Sequence, residues 1–266
     1  MRVNPVLQRL RAGRPSVGTW LSLGSPTAAE LLVTSGFEWL TVDLEHTPMS
    51  WETVAHMVGL IAHRGGVPLV RIPSNTVENA KRALDLGASG LVVPMVNSVA
   101  EAEAAVAAVR YPPAGVRSVG GILRAARWDT DPVTYQARAN REILLVIQAE
   151  HRLHLEHARE IAGVPGIDAV FIGPHDMGAS LGLRPDSPEM EPHFAAVLAA
   201  CREAGVPAGI HAPDAEWARR RVAQGFRFVA AGTDASMLDR LARSEAALAQ
   251  GTEAGAAPAA GGAVLE

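Results

Sequence analysis

From Val17 to Leu248, short apolar runs rich in β-branched residues alternate with longer stretches whose apolar positions recur every three or four residues. Runs that short, bounded by Gly and Pro, read as strands buried on both faces, and the longer stretches as amphipathic helices. The pattern predicts strands over 17–23, 37–44, 67–72, 89–95, 143–148, 167–172, 206–211 and 226–231. It predicts helices over 26–35, 51–63, 76–86, 99–110, 132–140, 151–162, 188–204, 214–224 and 234–248, with a long loop over 111–131. Pro26 and Thr27 open the first helix and Gly87 closes the third, as helix punctuation requires. About eight strand–helix units with no second domain predict an α/β fold, a single (β/α)8 TIM barrel over 1–250. No G-x-G-x-x-G follows the first strand and no Walker-type phosphate loop occurs. The stretch 251–266 is Gly- and Ala-rich without helical periodicity and reads as a flexible tail.

Composition narrows the function. The chain has 266 residues, 48% of them hydrophobic, enough for a sizeable core. A net charge of −4 argues against nucleic acid or an acidic membrane as partner. Cys201 is the only cysteine, which excludes an intrachain disulfide, and its Ala-rich setting predicts a buried small apolar residue. The first residues carry no apolar signal region and no run reaches membrane-spanning length, so a cytoplasmic location is expected. Lys81 is the only lysine and falls in mid-helix, a poor place for Schiff-base chemistry, so if the chain handles carbonyl carbanions it is expected to use a metal instead.

Candidate chemistry collects where predicted strands end, the face on which such barrels carry their sites. The second strand runs into Asp43, Glu45 and His46, the third into Arg71, the fifth into Gln148 and Glu150, the sixth into Asp176 and the seventh into His211. Glu150 and Asp176, hard oxygen ligands at consecutive strand ends, suit a divalent cation that keeps positions open for substrate. The blander alternative makes Asp176 a helix cap and turns Glu150 to solvent. His46 has a capping alternative, Arg71 a structural ion pair, Asp43 the orientation of a neighbour, and Trp20 a place in the core or pocket wall. His151, His154 and His157 step by three along a predicted helix and read as a solvated face rather than a metal comb.

The stretches 18–26, 42–46, 70–71, 91–96, 111–120, Gln148-Ala149-Glu150 and 171–176 together resemble the HpcH/HpaI aldolases, class II metal-dependent pyruvate aldolases. The resemblance covers roughly 15–248 and implies cleavage of 4-hydroxy-2-keto acids, such as 4-hydroxy-2-oxoheptanedioate or 2-keto-3-deoxy sugar acids, to pyruvate and an aldehyde. It implies Glu150 and Asp176 as metal ligands, with Mg²⁺ or Mn²⁺ favoured and Co²⁺ or Zn²⁺ able to occupy the same site. It further implies Gln148, Asp176 and the backbone at His175 as substrate contacts and His46 as the base. Asp43 and Asp85 become carboxylates that tune that base, and Arg71 the stabiliser of developing negative charge. A homohexamer, a trimer of dimers with the last helix exchanged between barrels, is implied as well. The chain departs from the family at Leu44, Ala149, His151, His175-Asp176-Met177-Gly178 and 209–212, which puts substrate size preference in question and leaves the ligands intact. Arg117, Arg124 and Arg127 on the long loop keep a citrate-lyase-type CoA-ester lyase as an alternative, and a non-catalytic keto-acid-binding barrel is the other.

Overall fold

The structure, a computed structural model, describes residues 1–120 and 122–251. Its strands are β1 (Ser16–Leu21), β2 (Trp39–Asp43), β3 (Val67–Arg71), β4 (Gly90–Val93), β5 (Leu144–Ala149), β6 (Ala169–Ile172), β7 (Ala208–Ala212) and β8 (Phe228–Thr233). Each pairs in parallel with the next, and β8 returns to β1, so the sheet is a closed barrel. Among the helices are α1 (Pro5–Arg11), α2 (Pro26–Val33), α3 (Trp51–His63), α4 (Val77–Asp85), α5 (Val99–Val109), α6 (Ile122–Arg127) and α7 (Pro132–Glu142). They continue as α8 (Arg152–Glu156), α9 (Ala158–Ala162), α10 (Pro174–Leu181), α11 (Glu191–Ala204), α12 (Ala215–Gln224) and α13 (Asp234–Ala249). Side chains of Ser25, Ser50, Thr76, Ser98, Asp131, Asp214 and Thr233 cap helices at the residue before each apolar period begins.

The period-two alternation along the strands sorts the core into two layers. Leu40, Val42, Val70, Leu91, Val93, Leu145, Ile147, Val170, Ile172 and Val229 point outward and pack under the helices. Trp20, Trp39, Val67, Leu69, Val92, Leu144, Val146, Phe171 and Phe228 fill the lumen. Trp39 stacks on Phe228 at 4.2 Å, and a Cβ at Gly18 would fall 2.1 Å from the Trp39 ring, so glycine there makes room for the indole. Val6, Leu7 and Leu10 of α1 join this inner cluster and close the end of the barrel where the strands begin.

Helices α1, α6 and α10 lie outside the predicted set. Each is eight residues or fewer, too short for a periodic signal, and α1 and α10 are set by Pro in the first turn. The helix expected over 151–162 is two short ones, broken at His157, whose φ of −123° and ψ of 18° leave the helical region. Apart from Gly251, the expected tail over 251–266 lies outside the described residues. Among the described residues no helix is long and apolar enough to cross a membrane.

Candidate active site

Alternation that fills the lumen with apolar groups brings polar ones to its mouth. Counting by twos from Trp39 leads to Thr41 and Asp43, from Val67 to Leu69 and Arg71, from Leu144 to Gln148 and Glu150, and from Gly209 to His211. The β2–β3 register sets Asp43 directly beside Arg71. Asp43 takes the Arg71 fork through Nε at 2.8 Å and Nη2 at 2.7 Å, and Arg71 Nη1 lies 3.0 Å from Glu45 Oε2. The guanidinium carbon sits 4.6 Å from the Trp20 ring centroid, on its face. Burial works against the Arg71 cation, but Asp43, Glu45 and Glu150 outweigh it and its pKa is raised.

Glu150 is 2% exposed, so it does not face solvent. Met95 N–H donates to its Oε1 at 2.6 Å and Gln148 Nε2 to its Oε2 at 2.7 Å. A Cβ at Gly173 would lie 2.9 Å from Oε2, so the first residue after β6 is packed against the carboxylate. Burial, followed by the charges of Glu45 and Asp176, raises the Glu150 pKa to about 7 against the pull of the Met95 hydrogen bond. Burial likewise raises Glu45, which Arg71 and His46 only partly offset. Asp176 lies within the first turn of α10 and does not cap it; Gly173 is the N-cap.

A cavity of about 450 Å³ opens at this mouth, lined by Trp20, Asp43, His46, Arg71, Gln148, Phe171, His175, Asp176 and His211 among others. The site thus gathers Asp43, Arg71, His46, Gln148, His175 and Asp176 around one cavity, with Glu150 behind Gln148 and Gly173. His46 is 60% exposed, with Nε2 3.7 Å from Glu45 Oε2. Both oxygens of Asp43 are engaged, with Arg71 and with the Glu45 N–H, so within one chain the carboxylate beside His46 is Glu45. Asp85 is not brought to this mouth by its own chain. It ends α4, five residues before β4 starts at Gly90, and pairs with Arg117 at 3.3 Å and Arg124 at 3.2 Å.

Glu45 received no role from the sequence, although its position two residues past Asp43 placed it on the inward side. Trp20 is pocket wall. His211 also faces the cavity, and burial, with the His175 and Arg71 charges, holds its pKa down to about 4, so the ring is a neutral hydrogen-bonding edge. His151 caps α8 by accepting from Leu153 N–H. The expected solvated face of His154 is wrong: the side chain is 0% exposed. The face argument assumed one continuous helix, and the break at His157 removes that premise.

Among the described residues no group of three or more His, Cys, Asp or Glu side chains is arranged to hold a metal. A divalent cation here would have two carboxylates as its protein ligands and leave the rest of its shell to ligand and water. The charge balance fits that demand. Asp43 and Asp176 line a cavity whose wall supplies Arg71 as its permanent cation, Glu45 and Glu150 lie close enough to interact with Arg71, and buried Gln148 Oε1 finds no donor. Mg²⁺ and Mn²⁺ suit a site with few protein oxygens and several open positions.

Comparison with known proteins bears on this geometry. Residues 16–240 match the model of the HpcH/HpaI aldolase/citrate lyase family. A hydroxypyruvate/pyruvate aldolase of Pseudomonas aeruginosa is 42% identical over 97% of this chain and 95% of its own. A 4-hydroxy-2-oxo-heptane-1,7-dioate aldolase of Shigella sonnei is 42% identical over 90% of this chain and 92% of its own. A solved structure from Burkholderia cenocepacia, described as an HpcH/HpaI aldolase/citrate lyase family protein, aligns with TM-score 0.88 at 38% identity, covering 93% of this chain and 99% of that one.

Proposed function

The chain belongs to the HpcH/HpaI aldolase/citrate lyase family, and on that footing we propose how its mouth residues cleave 4-hydroxy-2-keto acids to pyruvate, or a related 2-keto acid, and an aldehyde. The observation that carries the reading is the cluster of Arg71, Gln148, Asp176 and His46 around one cavity, with Glu150 packed behind Gln148 and Gly173. Glu150 and Asp176 would hold a divalent cation, Mg²⁺ or Mn²⁺, which would supply positive charge to stabilise an enolate. Gln148 and the backbone at His175 orient the keto acid. His46 takes the proton from the C4 hydroxyl, with Glu45 Oε2 3.7 Å from its Nε2. The C3–C4 bond breaks, the aldehyde departs, and the electron pair passes to the keto oxygen as the enolate. Arg71, held in its fork by Asp43, donates its remaining Nη hydrogens to that oxygen. Protonation of C3 then releases pyruvate.

His46→Ala separates the steps. Aldol turnover is expected to fall by about 10²–10⁴-fold, the range for loss of a general base. Decarboxylation of oxaloacetate needs enolate stabilisation but no base at C4, and it should survive within about tenfold. Steady-state rates on the two substrates check this; equal losses in both would remove His46 from the role of base.

The CoA-ester alternative depended on the loop arginines. Arg117 and Arg124 are committed to Asp85 and to the Tyr111 and Tyr135 ring faces, Arg127 reaches the Ala55 carbonyl away from the cavity, and among the described residues the cavity wall offers Arg71 alone as permanent cation. Pyruvate release from a 4-hydroxy-2-keto acid with added Mn²⁺ tests the aldolase reading against that alternative and against a non-catalytic barrel.

Exchange of the last helix and a homohexamer belong to the same reading. In α13, Asp234 alone is buried, holding Ser22 and Leu23 N–H, while Leu238, Leu241 and Leu248 are 60–70% exposed. A largely apolar groove of about 410 Å³ beside it, lined by Val17, Phe37, Ala218, Val222 and Met237, has room for such side chains from another chain. Asp85, occupied with Arg117 and Arg124 in its own chain, can tune His46 only if a neighbouring chain presents it. Leu238→Glu with Leu241→Glu should shift the assembly to smaller species in light scattering; an unchanged hexamer would count against exchange through α13.

A further inference from the structure

His154 is a fully buried histidine that the proposed chemistry does not use. Its Nδ1 lies 2.7 Å from the Val96 carbonyl oxygen. A carbonyl only accepts, so Nδ1 carries the hydrogen, and the neutral ring is left with Nε2 as an acceptor without a donor. Burial lowers the pKa of the ring, which agrees with a neutral tautomer. A leucine would fill this space without stranding a buried nitrogen, so a histidine earns its place only through the bond it donates.

That bond grips a strained turn. Met95, the residue before Val96, has φ of +52°, a left-handed conformation that side chains with a Cβ rarely adopt. Its N–H is the group that donates to Glu150 Oε1 at 2.6 Å. On the far side of the turn, Asn97 N–H is held by Glu101 Oε2 at 2.7 Å, and Ser98 caps α5. The segment between β4 and α5 is therefore fastened at Met95, Val96 and Asn97, and the middle fastening comes from α8.

We propose that His154 is a positioning residue: through the Val96 carbonyl it fixes the turn that aims the Met95 N–H at Glu150, and so sets the carboxylate for a divalent cation. This rests on the reading of Glu150 as a metal ligand. The supporting carboxylate hydrogen bond has the same rank as the partners that orient metal ligands elsewhere.

The test uses the full chain and Mn²⁺ alone as probe, with free Mn²⁺ read by electron paramagnetic resonance. His154→Leu and His154→Met remove the donor at similar volume; His154→Asn keeps an N–H at the Nδ1 position. The Leu and Met variants should bind Mn²⁺ about 10–100-fold more weakly, with the Asn variant within about threefold of the wild type. Their kcat for aldol cleavage should recover at saturating Mn²⁺, which a general loss of structure would not allow. Wild-type Mn²⁺ affinity in the Leu or Met variant, or equal loss in the Asn variant, overturns the proposal. Failure of both donorless variants to fold, with the Asn variant folded by circular dichroism, assigns His154 to stability and overturns it too. Glu150→Gln run beside them separates the two readings: if it binds Mn²⁺ as tightly as the wild type, the ligand assignment itself fails.

Discussion

Glu150→Gln is expected to abolish aldol cleavage and, in metal-stripped protein, to make the fold more stable at alkaline pH. Loss of one charge-stabilising group at a reacting oxygen typically costs about 10²–10³ in rate, and loss of a ligand that places the cation should cost at least ~10³. The stability gain follows from the carboxylate's titration. Glu150 titrates at about 7 in the fold against an ordinary 4.5, so the native chain holds an extra proton between those values. Where the native state binds more protons than the unfolded one, stability falls as pH rises. The wild type therefore loses about 3 kcal/mol between pH 4.5 and pH 8 through this group alone. The amide removes that loss. Gln148 Oε1, which has no donor in the wild type, can accept from the new NH₂ after an amide flip, and the Met95 N–H keeps its acceptor, while the Gln148 NH₂ gives up its partner at Oε2. Differential scanning calorimetry with a chelator present should show the variant roughly 5–10 °C more stable at pH 8 and level with the wild type at pH 5. Added Mn²⁺ should raise the wild-type midpoint and leave the variant's in place. A variant less stable than the wild type at pH 8 would mean the carboxylate is not under the strain assigned to it.

The second large effect belongs to Arg71. Arg71→Ala removes the partner of two carboxylates, Asp43 and Glu45, that are 6% and 16% exposed in their side chains. Breaking a buried ion pair from one side costs about 3–5 kcal/mol, because the other charge stays buried. The same change removes the donor to the enolate oxygen, a further loss of about 10²–10³ in kcat/KM. Arg71→Lys separates the two consequences. It restores a charge to the carboxylates but cannot reproduce the fork on Asp43 or lie flat on Trp20. Its midpoint should lie between those of the wild type and the Ala variant, while its turnover stays down by about 10²-fold or more. Wild-type turnover in the Lys variant would show that Arg71 serves as a charge only and does not meet the reacting oxygen.

The pairing of stability with function at this mouth has a common physical source. The site concentrates negative charge in a place with little solvent to screen it, and a bound divalent cation would relieve it. Glu150, costly to ionise in the bare fold, is the ligand expected to gain most when a cation arrives, since the positive charge returns its pKa toward the usual carboxylate range. His211 is held neutral by the same burial, and with His175 it gives the cavity a polar wall.

Much of this was written along the chain itself. Period-two alternation in runs such as Trp39–Asp43 and Leu144–Ala149 determined which side chains face the lumen, because a strand's geometry turns successive residues to opposite faces. The helical period and its caps determined the alternation of strand and helix, and hence the barrel and the end at which Asp43, Arg71, Gln148 and Glu150 emerge. Tertiary structure decided who meets whom. Only the closed register puts Asp43 on Arg71, so that Glu45 rather than Asp43 stands beside His46. Only the fold brings Met95 N–H and Gly173 to Glu150, buries His154 against Val96, and leaves Asp85 with the loop arginines. A local pattern specifies the face on which a residue appears; the partner across a gap depends on register, closure and the path of irregular turns, and these arise from contacts between segments far apart in the chain.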